Sequence, residues 1–160
     1  MPKYYTEYFS VIGNVTLICD DDAMIAVLHE AGMQQLRRDY PEAQADDTHP
    51  LLLKAKQEID AYLSGELKAF TLPLKPKGTD FQQKIWHYMQ KIPYGETSSY
   101  TALATLAGNA RASRAAGSAC GKNPMPLIIP CHRVLRSDGA LGGFGWGLGV
   151  KKKLLALERV

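Results

Sequence analysis

Cysteine is scarce and oddly spaced: Cys19, Cys120 and Cys131 are the only three in 160 residues, and no pair has CxxC spacing. An odd count without that spacing argues against a disulfide framework and a cysteine-rich zinc site. Long apolar runs are also missing. Nothing approaches the roughly eighteen consecutive apolar residues of a membrane span, and the N-terminal MPKYYTEYFS lacks the apolar core of a signal peptide. The expectation is therefore a cytoplasmic protein with reduced thiols and no membrane contact. A nucleotide-binding loop is missing as well. The glycine-rich stretch 139–149 has no GxGxxG register, and Lys151 is not followed by Ser or Thr. His29, His49 and Cys19 share no close ligand spacing, so no metal is expected.

Acidic residues are unevenly distributed. From Met1 to Gly78 there are 8 Lys and Arg against 12 Asp and Glu, a net of −4; from Thr79 to Val160 there are 11 against 4, a net of +7. The basic half suits a polyanion such as nucleic acid, while the alternative is an uneven solvated surface, with Lys151-Lys152-Lys153 as the wet face of a helix. With 46% hydrophobic residues the chain can bury a core, as one domain or two small ones. Pro73, Pro76 and Gly78 break the periodicity where the charge changes sign. They divide an expected support domain, 1–75, from an expected working domain, 76–160.

Residues 4–30 alternate apolar and polar positions around turn signals at Gly13-Asn14 and Asp20-Asp21-Asp22, which predicts an antiparallel meander. Leu52, Ala55, Ile59 and Leu63 predict a helix from Pro50, with Thr48 or His49 before the proline. In the second half Thr79 and Gln82 form a weak capping box ahead of a stripe of Phe81, Ile85, Met89 and Ile92. Thr97 can cap a helix from Ser98 to about Ala107, and a second, rich in Ala, Gly and Ser, runs from about Arg111 to Cys120. Two short helices joined by Gly108-Asn109 are a helix-turn-helix candidate with Arg114 projecting from a small-residue surface; plain helix packing is the alternative. Val150–Glu158 predicts a basic terminal helix with Leu154, Leu155 and Leu157 inward.

Chemistry is concentrated at Cys131-His132, after Asn123-Pro-Met-Pro126 and the apolar run Leu127-Ile128-Ile129. A thiolate is the nucleophilic form of cysteine, and a neighbouring imidazole can accept its proton. From these two residues alone, a buried core cysteine fits as well. The loop that follows, with Phe144 and Trp146 among bare glycines, suits a wall against a flat ring or else a structural turn.

Taken in order, Pro93-Tyr-Gly-Glu-Thr97 leading to Tyr100, Arg114-Ala-Ala-Gly117, Asn123-Pro-Met-Pro126, Pro130-Cys131-His132-Arg133-Val134 and Gly139-Ala-Leu-Gly-Gly-Phe144 closely resemble the O6-alkylguanine-DNA alkyltransferases. The resemblance is strong over 79–158 and covers the first half only in layout. It implies an α+β fold: a small N-terminal domain with an antiparallel sheet and packed helix in a ribonuclease H-like layout, then a mainly helical domain with a winged-helix-like helix-turn-helix. It implies direct-reversal DNA repair, in which one alkyl group passes irreversibly from O6-alkylguanine to Cys131 after the nucleotide is flipped from the duplex. O4-alkylthymine as a second substrate is left open. No cofactor is implied.

Residue by residue, the resemblance makes Cys131 the acceptor, His132 a base acting through water and Glu158 its orienting carboxylate. Asn123 braces the loop, and Tyr100 serves N3 of guanine. The backbone carbonyls of Cys131 and Val134 take the exocyclic amine, and the Gly145 N–H points at O6. Arg114 fills the vacated stack, and Ser113, Ala115, Gly117 and Lys122 join it and Tyr100 on a minor-groove helix. The working unit implied is a monomer on duplex DNA, with cooperativity left open. Phe144 stands where Tyr is often found, and Trp146 adds bulk where some relatives have Gly, so large O6 substituents are expected to fit poorly. The rival readings are a lesion sensor without transfer, a Cys-His hydrolase and a plain transcription factor.

Overall fold

The computed structural model describes residues 1–159 and divides the chain into two compact units, Met1–Pro76 and Lys77–Val160. Among the described residues no helix is long and apolar enough to cross a membrane.

In the first unit the alternating segments form β1 (Tyr4–Ser10), β2 (Gly13–Cys19) and β3 (Met24–His29), an antiparallel meander with a register shift at Ile18/Cys19. Two elements were not anticipated. A helix, α1 (Gly32–Asp39), follows β3, and a two-residue strand, β4 (Gln44–Ala45), pairs parallel to β1, giving the order β3-β2-β1-β4. The signal for α1 was short, Met33, Leu36 and Tyr40 at i, i+3 and i+7, and both β4 residues are exposed. Helix α1 approaches the sheet closely: a Cβ on Gly32 would lie 2.5 Å from Thr16 Oγ1. Leu36 joins Ile18, Ile25, Ala26 and Leu28 in one core cluster. Helix α2 (Pro50–Leu63) has the expected bounds. The ring of His49 caps it by accepting from the Leu51 N–H at 3.2 Å, and Leu52, Ala55, Ile59 and Tyr62 face inward. The proline-rich segment is tied back to the sheet, where the Met24 N–H donates to the Pro73 carbonyl and the Lys75 N–H to Met24, each at 2.9 Å.

The second unit begins with α3 (Asp80–Gln90). The expected capping box is present in both directions: Thr79 N–H donates to Gln82 Oε1 at 2.9 Å, and Gln82 N–H to Thr79 Oγ1 at 3.2 Å. Ile85, Trp86 and Met89 are buried, and the Trp86 indole N–H donates to the Ala119 carbonyl at 2.8 Å, locking α3 to α5 (Ser113–Gly121). The expected Thr97 cap is displaced. Ser98–Ser99 forms β5, parallel to β6 (Val134–Leu135), so the chain stays extended until Ser99, whose hydroxyl accepts from Ala102 N–H at 3.0 Å and caps α4 (Tyr100–Leu106). Likewise α5 is Ser113–Gly121 and starts later than expected, because Asn109 closes a turn through Arg111, its side-chain oxygen accepting from the Arg111 N–H at 3.1 Å. The final helix, α6 (Leu148–Leu157), ends with Glu158 as its C-cap.

Replacing Thr79 by Ala removes one arm of the capping box, and T79A should lower stability by about 1 kcal/mol. Urea unfolding followed by Trp fluorescence measures this, with Trp86 reporting from α3.

Candidate active site

Cys131 sits at the end of a loop stiffened from within. Asn123 accepts from the Met125 N–H at 2.9 Å and donates to the Ile129 carbonyl at 2.8 Å, bridging the turn between them. Met125, Leu127, Ile128 and Ile129 anchor the loop in the core. Leu127 holds φ of 81°, a conformation a non-glycine residue keeps only where its surroundings impose it. The chain then enters a 3-10 turn, Cys131–Arg133, before β6.

That turn directs His132 and Arg133 onto one buried carboxylate. His132 Nε2 lies 2.8 Å from Glu158 Oε2; Arg133 donates through Nε to Oε1 at 2.8 Å and through a terminal nitrogen to Oε2 at 3.0 Å. The other arm of Arg133 donates to the Ile92 carbonyl at 2.8 Å, and the Gly95 N–H donates to Glu158 Oε1 at 3.2 Å. The guanidinium also lies over the Tyr94 ring, 5.7 Å from its centroid. An ionised carboxylate can be buried when charged donors surround it in this way, and the fork geometry of arginine suits it. Burial holds the His132 ring below the ordinary imidazole range, against the opposing pull of Glu158.

A cavity of about 290 Å³ opens beside the thiol, lined by Tyr100, Gly117, Cys120, Gly121, Cys131, Gly143, Phe144 and Gly145. Burial pushes the Cys131 thiol up to about 11, opposed by a hydrogen bond from Asn123 and the charge of Lys151. Burial also raises the Tyr100 phenol, followed in effect by the thiols of Cys120 and Cys131. Gly142, at φ of 69°, gives the phenol its room, since a Cβ there would lie 2.6 Å from the Tyr100 hydroxyl. Phe144 and Trp146 meet edge to face with centroids 6.1 Å apart. Trp146 thus supports Phe144 without lining the cavity.

The sequence candidates therefore separate into groups. Cys131, Tyr100, Phe144 and Gly145 meet at the cavity; Asn123 (which hydrogen-bonds the Cys131 thiol), His132, Glu158 and Val134 are buried outside its lining. On α5, Arg114 and Ala115 are exposed, Ser113 and Gly117 are half-buried, and Lys122 is exposed just beyond the helix. Ser113 Oγ lies 3.2 Å from Thr101 Oγ1.

Lys151 does not belong to the wet lysine face offered as the alternative reading. It is fully buried, and its ammonium donates to the carbonyls of Val134 at 2.7 Å, Gly143 at 3.2 Å and Leu141. Spacing carried the signal: Lys151, Leu154, Leu155 and Glu158 stand at i, i+3, i+4 and i+7, one helix face. The inward leucine set is likewise Leu154 and Leu155, with Leu157 half-buried. Cys120, also outside the expected site, lines the cavity and donates its thiol to Met89 Sδ at 3.7 Å.

A depressed His132 pKa has a definite stability signature. Above the ordinary value of 6.5 the ring is neutral in both states; below it the unfolded chain takes the proton first, and stability falls until the folded-state pKa is passed. Denaturation midpoints measured from about pH 7.5 down to 5.5 should decline, and H132Q should flatten that part of the slope.

Comparison with known proteins places this geometry in context. The family model described as "6-O-methylguanine DNA methyltransferase, DNA binding domain" matches residues 80–160, and its companion, the "ribonuclease-like domain", matches residues 3–76. A methylated-DNA–protein-cysteine methyltransferase of Haemophilus influenzae is 40% identical over 158 residues, covering 98% of this chain and 87% of the relative. A protein of the same name from Methanosarcina acetivorans is 38% identical over 155 residues, covering 97% of each chain. The crystal structure of Mycobacterium tuberculosis OGT in complex with DNA superposes with a TM-score of 0.88 at 37% identity, covering 98% of this chain and 92% of that one.

Proposed function

The chain belongs to the 6-O-methylguanine DNA methyltransferase family, and from that premise we propose how its own residues carry out alkyl transfer from DNA to Cys131. The observation that carries the proposal is a buried thiol opening on a cavity of about 290 Å³, with a carboxylate-bound imidazole next in the chain.

The reaction is an in-line displacement at the O6-alkyl carbon. The Cys131 sulfur forms a bond to that carbon, the carbon–O6 bond breaks, and its electron pair leaves with guanine. Glu158 engages Nε2 of His132, and the base role falls to the other ring nitrogen, Nδ1. Burial keeps the ring neutral and able to accept. With the thiol near 11, the resting pair is thiol and imidazole. The proton therefore leaves through an intervening water as the attack develops, and Glu158 stabilises the imidazolium that forms. Tyr100, its hydroxyl at the cavity, gives a proton to N3 of the departing base. The carbonyls of Cys131 and Val134 accept from the exocyclic amine. A carbonyl has two lone pairs, so the Lys151 bond to Val134 leaves it one for substrate. The Gly145 N–H addresses O6, Phe144 stacks on the base, and Trp146 braces Phe144. Asn123 keeps the loop in place. Electrons balance without a cofactor, and the thioether product has no hydrolytic exit, so each chain acts once.

Duplex DNA carrying O6-alkylguanine is the substrate. The atom attacked is inside the stack, so the nucleotide must be extruded at a cost of a few kcal/mol. The exposed first turn of α5 supplies Arg114 to fill the gap. Ser113, Ala115, Gly117 and Lys122 offer a slim, basic face to a narrow minor groove and its phosphates. Units 1–75 and 76–160 act as support and working domains. Since acceptor, base, carboxylate and finger all lie in one chain, a monomer suffices. Three free cysteines suit the cytoplasm. The braced aromatic wall favours methyl over larger groups.

Incubating the protein with duplex DNA bearing radiolabelled O6-methylguanine, followed by peptide mapping, should put at most one methyl on each chain, at Cys131. Label beyond one per chain would refute single use. C131S should accept none while still binding the duplex. R114A should slow repair of duplex DNA by about tenfold while leaving transfer from a single-stranded substrate near the wild-type rate; equal slowing on both would remove Arg114 from the flipping step.

A further inference from the structure

Lys151 sits in surroundings unusual for lysine. Its side chain is fully buried, and no carboxylate pairs with it among the described residues. Its three acceptors are all backbone carbonyls: Val134 in β6, and Leu141 and Gly143 in the glycine-rich loop. An ammonium has three N–H donors, so three carbonyls satisfy it completely; a neutral amine would have one donor too few and a lone pair facing an oxygen. The cluster therefore calls for the charged form, although burial pulls Lys151 below the ordinary lysine range. An uncompensated buried cation is costly unless its surroundings demand it.

What it fastens gives it a function. Val134 immediately follows the Cys131–Arg133 turn, and Gly143 lines the cavity between Gly142, which makes room for Tyr100, and Phe144. Near this point the loop is also held by a Gly143 backbone hydrogen bond to Tyr100 and by the Gly147 N–H, which donates to the Phe144 carbonyl at 2.9 Å. Gly142, Gly143 and Gly145 have no side chains to pack, and Gly143 and Gly145 are exposed. Resting on the alkyl-transfer reading above, we infer that Lys151 is a positioning residue for the transfer. Its ammonium clamps the glycine-rich wall to the Val134 segment, fixing the width of the slot in which the base lies against the thiol. The same ammonium places a positive charge where a thiolate must develop. Alignment and charge then come from one side chain that touches neither the substrate nor the sulfur.

The test replaces Lys151 by Met, which keeps the length and removes the donors and the charge. K151M should slow methyl transfer from saturating O6-methylguanine duplex by about tenfold or more. Its affinity for an undamaged duplex should stay within about twofold of wild type, because the buried ammonium contacts no phosphate. In DNA-free protein, the pH midpoint for Cys131 alkylation by iodoacetamide should rise by about one unit. A wild-type transfer rate in K151M would overturn the inference, as would a slower rate that tracks a lowered melting temperature with the iodoacetamide midpoint unmoved. If K151M does not fold, nitrogen-15 NMR of lysine side chains in the wild-type protein decides instead. A protected Lys151 ammonium signal that moves when Cys131 is methylated supports the clamp, and a signal that exchanges like surface lysines or stays put overturns it. Absence of methyl transfer by wild-type protein would instead strike the alkyl-transfer reading, while the iodoacetamide profile would still report the effect of Lys151 on the thiol.

Discussion

One buried carboxylate organises the second unit. Glu158 receives His132, the Nε and one terminal nitrogen of the Arg133 guanidinium and the Gly95 amide, so it joins the end of α6, the Cys131–Arg133 turn and the loop after α3. A carboxylate without water must be fully compensated, and removing any one partner leaves charge stranded. The imidazole orientation is therefore fixed by an arrangement that also closes the fold. The site is rigid because the cost of loosening it is spread over three chain segments. Arg133 shows this: it adds no chemistry of its own, yet it lets Glu158 remain ionised beside His132 and shields it on the Tyr94 side.

The lysine of α6 is the counterpart on the other side of the thiol. Glu158 and Lys151 are seven residues apart on one helix face, the first engaging the imidazole and the second the glycine-rich wall. Lys151 of α6 and its C-cap Glu158 thus hold two sides of the site.

Much of this could be read from the sequence, for physical reasons that also explain the failures. Cys131 and His132 stood out as a motif and Glu158 came from family likeness, while α2 and α3 were legible because their apolar stripes and caps are local. What escaped depends on partners far along the chain. Ser99 displaced Thr97 as the cap of α4 because β5 must first pair with β6, thirty-six residues on. Helix α1 is short and mostly polar, so its trace of Met33, Leu36 and Tyr40 at i, i+3 and i+7 was overlooked, and β4 is a two-residue exposed edge. Lys151 looked like surface because lysine usually is; its helical phase with Leu154 and Leu155 said otherwise. The roles assigned to Arg114 and its neighbours came from family likeness, since exposed small residues on a helix carry no chemistry that composition alone can reveal.

The burial of Cys131 bears on how long the protein can wait. A reagent used once must survive intact until its lesion appears, in a cell that supplies peroxides and other electrophiles continually. Oxidation and adventitious alkylation both proceed through the thiolate and need access to the sulfur. A side chain held under the Asn123 bridge, 7% exposed and with its acidity pushed to about 11, offers neither freely. The packing that slows the thiol in the resting protein thereby also guards it.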